Sequence, residues 1–210
     1  MSKLKGLLLG LGVLLLSGCM LFGPGGPEIL YEETFGNEAD WYTGTNENRD
    51  WWIEGGQYHV LLKTEDFTTG SWRSTLGPFT DFQLDVDTQQ IAGPDDNGYG
   101  VQFRVQDGSN YYRFRISGDG WARFDKNIGG TITIIKPWER TDLIHQGNAT
   151  NHIKVIANGS LFTFYINGDK LYEATDTSIA AGSIGVQAVM LTSPGQTHIA
   201  FDNLILTELE

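Results

Sequence analysis

The chain has 210 residues, with 14 Lys and Arg against 26 Asp and Glu and a formal charge of −12 at neutral pH. That shortage of positive charge excludes nonspecific attraction to nucleic-acid phosphates, and the length suits one domain, since a single core serves about 100–200 residues. Twenty-seven glycines, 12% aromatic side chains and no long run of Ala, Leu, Glu and Lys at helical spacing indicate an all-β chain.

Residues 1–18 read as an export signal. Lys3 and Lys5 form a short basic region, and GLLLGLGVLLL is an apolar stretch too short for a membrane-spanning helix. Leu-Ser-Gly-Cys, ending at Cys19, resembles the lipobox of bacterial lipoproteins, in which the cysteine is diacylated through sulfur, freed by cleavage after Gly18 and N-acylated. A lone cysteine in an exported chain has no disulfide partner, which agrees with that use. Several acyl chains on one residue anchor stably where a single chain does not. The expectation is a membrane anchor at Cys19 in a bacterial cell envelope. Met20, rather than Asp, after the lipidated residue favours the outer membrane or the outer surface. Cleavage removes Lys3 and Lys5 and leaves 12 basic side chains against 26 acidic ones. Residues 19–27 then form a Gly/Pro tether that neither continues a helix nor pairs well in a sheet.

From Glu28 onward one phrase recurs, about five to eight alternating residues followed by a turn. EILYEETF opens the series. DWWIEGGQYHVLL turns at Gly55-Gly56, and DFQLDVDTQQ precedes the loop IAGPDDNG. YGVQFRVQ turns through Asp107-Gly108 into NYYRFRIS, which turns through Gly118-Asp119-Gly120 into WARFDK and on to Gly129-Gly130. A long stretch around Trp138 reads as irregular. NHIKVIA, SLFTFYI and DKLYEA follow, joined by Asn158-Gly159 and Asn167-Gly168, dipeptides that tolerate the positive φ of two-residue hairpin turns. GSIGVQAVM and HIAFDNLILTEL end the series. A dozen or so short strands with tight turns predict two packed antiparallel sheets in one domain, residues 28–210.

Several of these phrases together carry a family resemblance: FTDFQLDVDTQQ, NGYGVQFRVQDGSNYYRFRI, NHIKVIANGSLFTFYINGDKLYEATD, AGSIGVQA and FDNLIL. Over roughly residues 28–208 the chain resembles the concanavalin A-like lectin and glucanase superfamily. Within it, the nearest likeness is to the laminin-G-like and 3-keto-disaccharide hydrolase-like domains of bacterial exported proteins. The resemblance implies a two-sheet antiparallel jelly-roll sandwich whose last strand returns beside the first, with glycans bound on a concave sheet. It specifies fold better than activity. It also implies a structural calcium where the terminal strands meet, for which Glu33 and Asp202 are the candidates.

Alternation sorts the faces, because successive side chains of a strand point to opposite sides. Phe82, Leu84 and Val86, then Tyr99, Val101, Phe103 and Val105, then Tyr112, Phe114 and Ile116, and finally Ala122 and Phe124 are expected inward. If the four strands are neighbours, one outer face carries Asp85, Asp87, Gln102, Arg104, Tyr111, Arg113, Arg115, Trp121 and Arg123. Sugars present C–H faces to aromatic rings and hydroxyls to paired hydrogen-bonding groups. Trp121 and Tyr111 are therefore candidate platforms, and the arginines and aspartates candidate directional partners. The competing reading is cross-strand charge pairing, at about 0.2–1 kcal/mol per pair.

Hydrolysis needs two carboxylates on one surface. Family-16-type glucanases carry Glu-x-Asp-x-x-Glu along a strand, whereas here Asp85-Val86-Asp87-Thr88-Gln89-Gln90 lacks both glutamates. Asp85 and Asp87 share a face with Cα atoms roughly 6.5–7 Å apart, and they are the catalytic candidates if the protein is an enzyme. Neighbouring arginines favour ionised carboxylates and oppose an acid role. His59, His145, His152 and His198 are scattered without metal-ligand spacing and read as surface residues. Trp52 reads as core, while Trp41, Tyr42, Trp51 and Trp138 read as rim aromatics, Trp138 walling one end of a cleft. The expectation is a surface lipoprotein with a non-catalytic carbohydrate-binding or surface-interaction domain. Sugar hydrolysis and protein–protein adhesion through the same sheet remain the alternatives.

Overall fold

The computed structural model describes residues 26–36, 41–191 and 195–209. Cys19 and the signal segment lie outside the described residues. Among the described residues there is no helix, and the strands are β1 (Ile29–Glu33), β2 (Gly44–Thr45), β3 (Arg49–Glu54), β4 (Gln57–Leu62), β5 (Phe67–Trp72), β6 (Phe82–Ala92), β7 (Gly98–Asp107), β8 (Asn110–Ser117), β9 (Trp121–Ile128), β10 (Thr131–Arg140), β11 (Thr150–Asn158), β12 (Leu161–Ile166), β13 (Asp169–Thr175), β14 (Ser183–Met190) and β15 (Thr197–Thr207). They form two antiparallel sheets. One runs β13-β12-β11-β6-β15-β4-β3-β2, with β1 also on β15; the other runs β10-β9-β8-β7-β14-β5. The last strand does return beside the first, Glu32 opposite Ile205. This is the concanavalin A-like jelly-roll sandwich.

The two sheets meet through the apolar set of each alternation. Phe103, Phe114 and Phe124 of the six-stranded sheet pack on Phe162 and Phe164 of the other, all fully buried. Phe114–Phe164 and Phe124–Phe164 centroids lie 4.6 Å apart, and Phe103–Phe162 centroids 5.4 Å apart. Burial of five such rings is the main cohesive force between the layers.

Several sequence expectations need correction. The stretch around Trp138 is not irregular: it is β10, paired with β9 and interrupted by two register shifts, which obscure its alternation. Trp51, not Trp52, is the core residue. It is 1% exposed, stacks on Tyr58 with centroids 4.8 Å apart and donates its indole N–H to Thr69. Trp41 is buried as well and donates to Glu33. Trp52 points out of the nine-stranded sheet and stacks on His59, whose Nδ1 lies 3.0 Å from Nε2 of His198. A one-residue error in reading a strand's inward set inverts every side chain on it, and the adjacent tryptophans gave no means of deciding.

Asp85 and Asp87 are also misplaced by the four-strand reading. β6 belongs to the nine-stranded sheet, between β11 and β15, so both aspartates project from the opposite side of the molecule to the arginines of β8 and β9. Their partner is a histidine: Nε2 of His152 is 2.8 Å from Asp85 and Nδ1 is 2.8 Å from Asp87. Gln83 donates to Asp85 at 2.7 Å and Asn203 to Asp87 at 2.9 Å. The hydrogen bond to Asp85 raises the His152 pKa against the effect of burial, and Asp87 adds to it. Burial pushes Asp85 up, but hydrogen bonds from His152 and Gln83 and the Lys154 charge more than offset this and hold it below the usual carboxylate range.

The signs of these two shifts define a pH window. The raised His152 contributes stability that is complete below its unfolded value of about 6.5 and fades as pH rises through the folded value. Asp85 contributes stability that is present above about 3.9 and fades as pH falls through its lowered value. His152→Gln is therefore expected to cost most between about pH 4 and pH 6.5, up to about 1 kcal/mol for so exposed a bridge, and least at about pH 8. Urea unfolding at several pH values checks this. A cost that stays constant between about pH 5.5 and about pH 8 contradicts the bridge.

Candidate functional site

The outer face of the six-stranded sheet is read row by row from its register. Asp125 lies opposite Arg113, which lies opposite Gln102, then Gly185, then Trp72. One row along are Arg123, Arg115, Gly100, Gln187 and Gly70. The expected neighbourhood of Gln102, Arg113, Arg115, Trp121 and Arg123 is thus assembled by β7, β8 and β9, because each strand turns its apolar residues to the core and its polar ones here. Tyr111 is on this face but only 7% exposed, so it is not an open platform.

Asp125 is the hub. It is fully buried, and all three arginines converge on it: Arg113 through Nε, Arg115 through a terminal nitrogen at 2.7 Å, and Arg123 through Nε at 2.6 Å. Trp138 lies over the cluster, its ring centroid 5.4 Å from the Arg115 guanidinium carbon and 6.0 Å from that of Arg123. The ring fits because Gly98 is bare; a Cβ there would sit 3.3 Å from Trp138. Burial, followed by the Arg113 charge, pushes the Arg115 pKa down to about 10. Arg113 also donates to Gln187 Oε1, and Gln187 Nε2 donates to Gln102 Oε1. Arginine can only donate, so this chain has one direction and ends in Gln102 Nε2, a buried N–H without a partner. Arg115 Nε is a second such donor, and Asn127 Oδ1 a buried acceptor without a partner.

Beside the cluster lies a hollow of about 260 Å³ lined by Asp96, Ser117, Asp119, Trp121, Trp138 and Leu191. Trp121 is 37% exposed and forms one wall. Ser117 donates its hydroxyl to Asp119 at 2.5 Å. Two tryptophan surfaces with carboxylates between them offer a sugar an apolar platform and hydroxyl acceptors. Asp96, Asp119 and Asp125 together match the charge of the three arginines, so the region suits a neutral ligand.

Asp96, Ser117 and Asp119 were missed by the sequence reading, where IAGPDDNG and GDG registered only as turns. The two turns meet in space: the amide of Asp119 donates to the carbonyl of Asp95 at 3.0 Å, and a Cβ on Gly118 would come within 2.7 Å of Gln90. No local pattern encodes that contact. Arg104 does not belong to the face. It is a bulge residue with φ of 47°, and its guanidinium turns to the end of the sandwich. There it donates to the carbonyls of Thr80, Gly159 and Ile179 and lies 5.0 Å from the Phe162 centroid. Asp85 and Asp87 are on the other sheet. Of the calcium candidates, Glu33 accepts from Tyr31, the Phe35 amide and Trp41, and Asp202 accepts from the Asn203 amide. Among the described residues, no group of three or more His, Cys, Asp and Glu side chains is placed to hold a metal ion.

Comparison with solved structures finds the same sandwich. Carbohydrate-binding module CBM66 from Bacillus subtilis superposes with a TM-score of 0.63 at 21% identity, over 80% of this chain and 96% of that one. The Bacillus licheniformis β-glucanase gives 0.61 at 12% identity, over 89% and 100%. A protein of unknown function with a galectin-like fold from Bacillus subtilis gives 0.56 at 14%, over 86% and 96%. At these identities the likeness is one of fold. No curated protein sequence matches the chain. The family model of the 3-keto-alpha-glucoside-1,2-lyase-like domain matches residues 31–206. That match runs from the first strand to the last and takes in both sheets, so the chain belongs to the 3-keto-alpha-glucoside-1,2-lyase-like domain family.

Proposed function

We propose that the protein is a non-catalytic carbohydrate-binding lipoprotein of the bacterial cell envelope, anchored through Cys19, which takes a neutral sugar ring between Trp121 and Trp138. The hollow between these tryptophans carries the reading. It combines two aromatic walls with the acceptors of Asp96 and Asp119, whose two charges offset the positive excess of the neighbouring Arg–Asp125 cluster. The carbohydrate-binding module among its structural neighbours agrees with that use. The Arg–Asp125 cluster supports the ring of Trp138 from below, so charge pairing and ligand binding are two roles of one arrangement rather than alternatives.

A hydrolytic or eliminating enzyme is the second reading, favoured by the family and by the two carboxylates, Asp96 and Asp119, on one hollow. It predicts product release that stops in Asp119→Asn while sugar binding persists.

Screening the protein against a glycan array, beside Trp121→Ala and Trp138→Ala, tests the binding role. Each variant is expected to weaken binding by about tenfold or more, the scale of an aromatic anchor. Trp121→Ala should leave stability within about 0.5 kcal/mol, as for other surface substitutions. Unchanged binding in both variants, or no glycan bound by the parent, refutes the site.

Asp125→Asn separates the support from the hollow. Removing the shared carboxylate charge leaves three guanidiniums without a counterion, two of them buried, and is expected to cost about 3–5 kcal/mol in urea unfolding. A variant as stable as the parent would show that the arginines do not depend on Asp125.

A further inference from the structure

At the open edge of the sandwich, β5 of one sheet passes the β2–β3 end of the other. There Tyr42, Arg49, Gly70, Ser71, Trp72 and Ser74 enclose a second hollow of about 300 Å³. It is remote from the Trp121–Trp138 hollow: β9 and β5 are four strand spacings apart, about 19 Å along the sheet.

Its chemistry differs as well. Tyr42 is 50% exposed, and the Arg49 guanidinium carbon lies 5.6 Å from its ring centroid. Arg49 makes no ion pair among the described residues, and its Nε is shielded from solvent without a hydrogen-bond partner. Lys63, Lys126, Lys154 and Lys170, by contrast, each have a carboxylate. Across the hollow, Gly70 has no side chain, and the space its Cβ would fill lies against the Gln102 amide, 2.7 Å from its Oε1 and 2.9 Å from its Nε2. That nitrogen is the donor left over at the end of the Arg113–Gln187–Gln102 chain. The hollow therefore presents one cation without a carboxylate partner, Arg49, between the aromatic rings of Tyr42 and Trp72, with the Gln102 amide against its bare Gly70. Among the described residues, none that lines it is a carboxylate. A ligand that satisfies it needs negative charge, acceptor oxygens in a plane to match a guanidinium, and an apolar ring face.

We propose that this edge hollow is a separate binding site for a carboxylate-bearing sugar, a hexuronate, with its carboxylate on Arg49 and its ring between Tyr42 and Trp72. The proposal relies on the carbohydrate reading for the class of ligand; the site itself is independent of the tryptophan hollow. The acidic surface as a whole does not prevent this, because screening confines its field to about 8 Å at physiological ionic strength.

Titration of the protein with glucuronate and galacturonate, and with glucose and galactose as uncharged counterparts, tests it by the amide NMR signals of Tyr42, Gly70 and Trp72. A uronate is expected to move these signals at concentrations at least about tenfold below its neutral counterpart, the scale of a charge-assisted hydrogen bond. Arg49→Gln should abolish that preference, Tyr42→Ala should weaken all binding there, and Trp121→Ala should change neither. Equal response to charged and neutral sugars overturns the proposal while leaving the carbohydrate reading intact. So does movement of only the Trp121 and Trp138 signals. If no sugar moves either set of signals, and the glycan array is also blank, both readings fall together.

Discussion

A fully buried carboxylate is the constraint on which the six-stranded sheet depends. Removing a charge such as that of Asp125 from water costs several kcal/mol unless donors surround it. Here Arg113 and Arg115 of β8 and Arg123 of β9 close on it from both strands. Arg115 and Arg123 are direct cross-strand neighbours, a like-charge pairing that alone would be destabilising. The shared Asp125 turns that repulsion into a cluster and holds the guanidiniums in a layer on which Trp138 lies. The orientation of Trp138, and hence the shape of the hollow beside Trp121, follows from an electrostatic arrangement two strands wide.

Glycine is what keeps this layer thin. Gly98 admits the edge of Trp138, and Gly70 admits the amide of Gln102. Ordinary residues at these positions would lift the overlying groups away from the sheet. The polar chain from Arg113 through Gln187 to Gln102 then gives the face a direction, since its donor-only origin fixes the orientation of both amides. The two hollows sit at opposite sides of this layer. One is lined by tryptophans and two aspartates, the other by Arg49, Tyr42 and Trp72. The opposite sheet uses its outer face differently: His152 bridges Asp85 and Asp87, and Trp52 covers the His59–His198 pair.

Much of the sandwich was legible in the chain. Alternation in YGVQFRV, YYRFRI and WARFD placed Phe103, Phe114 and Phe124 in the core and Arg113, Arg115 and Arg123 outside, because the period of two is a property of the extended backbone itself. The Gly55-Gly56, Asn158-Gly159 and Asn167-Gly168 turns were readable for a similar reason, as residues tolerant of left-handed backbone mark them locally. The outward position of Trp121 and these arginines came from those patterns, whereas their sharing one face rested on the strands being neighbours, which holds for β7, β8 and β9 but not for β6.

Which strands lie side by side was decided by the tertiary structure. β6 alternates as cleanly as β7, yet its aspartates face the other way because it pairs with β11 and β15, far along the chain. Bulges removed Arg104 from the face and disguised β10, since one inserted residue breaks the period that makes a strand readable. Asp96 and Asp119 became parts of one hollow only when two turns met through a backbone hydrogen bond. The sequence determined each strand's two faces, because that depends on backbone geometry within a few residues. Partnering, bulges and the closing of hollows depend on contacts between distant segments, and so only the folded chain decided them.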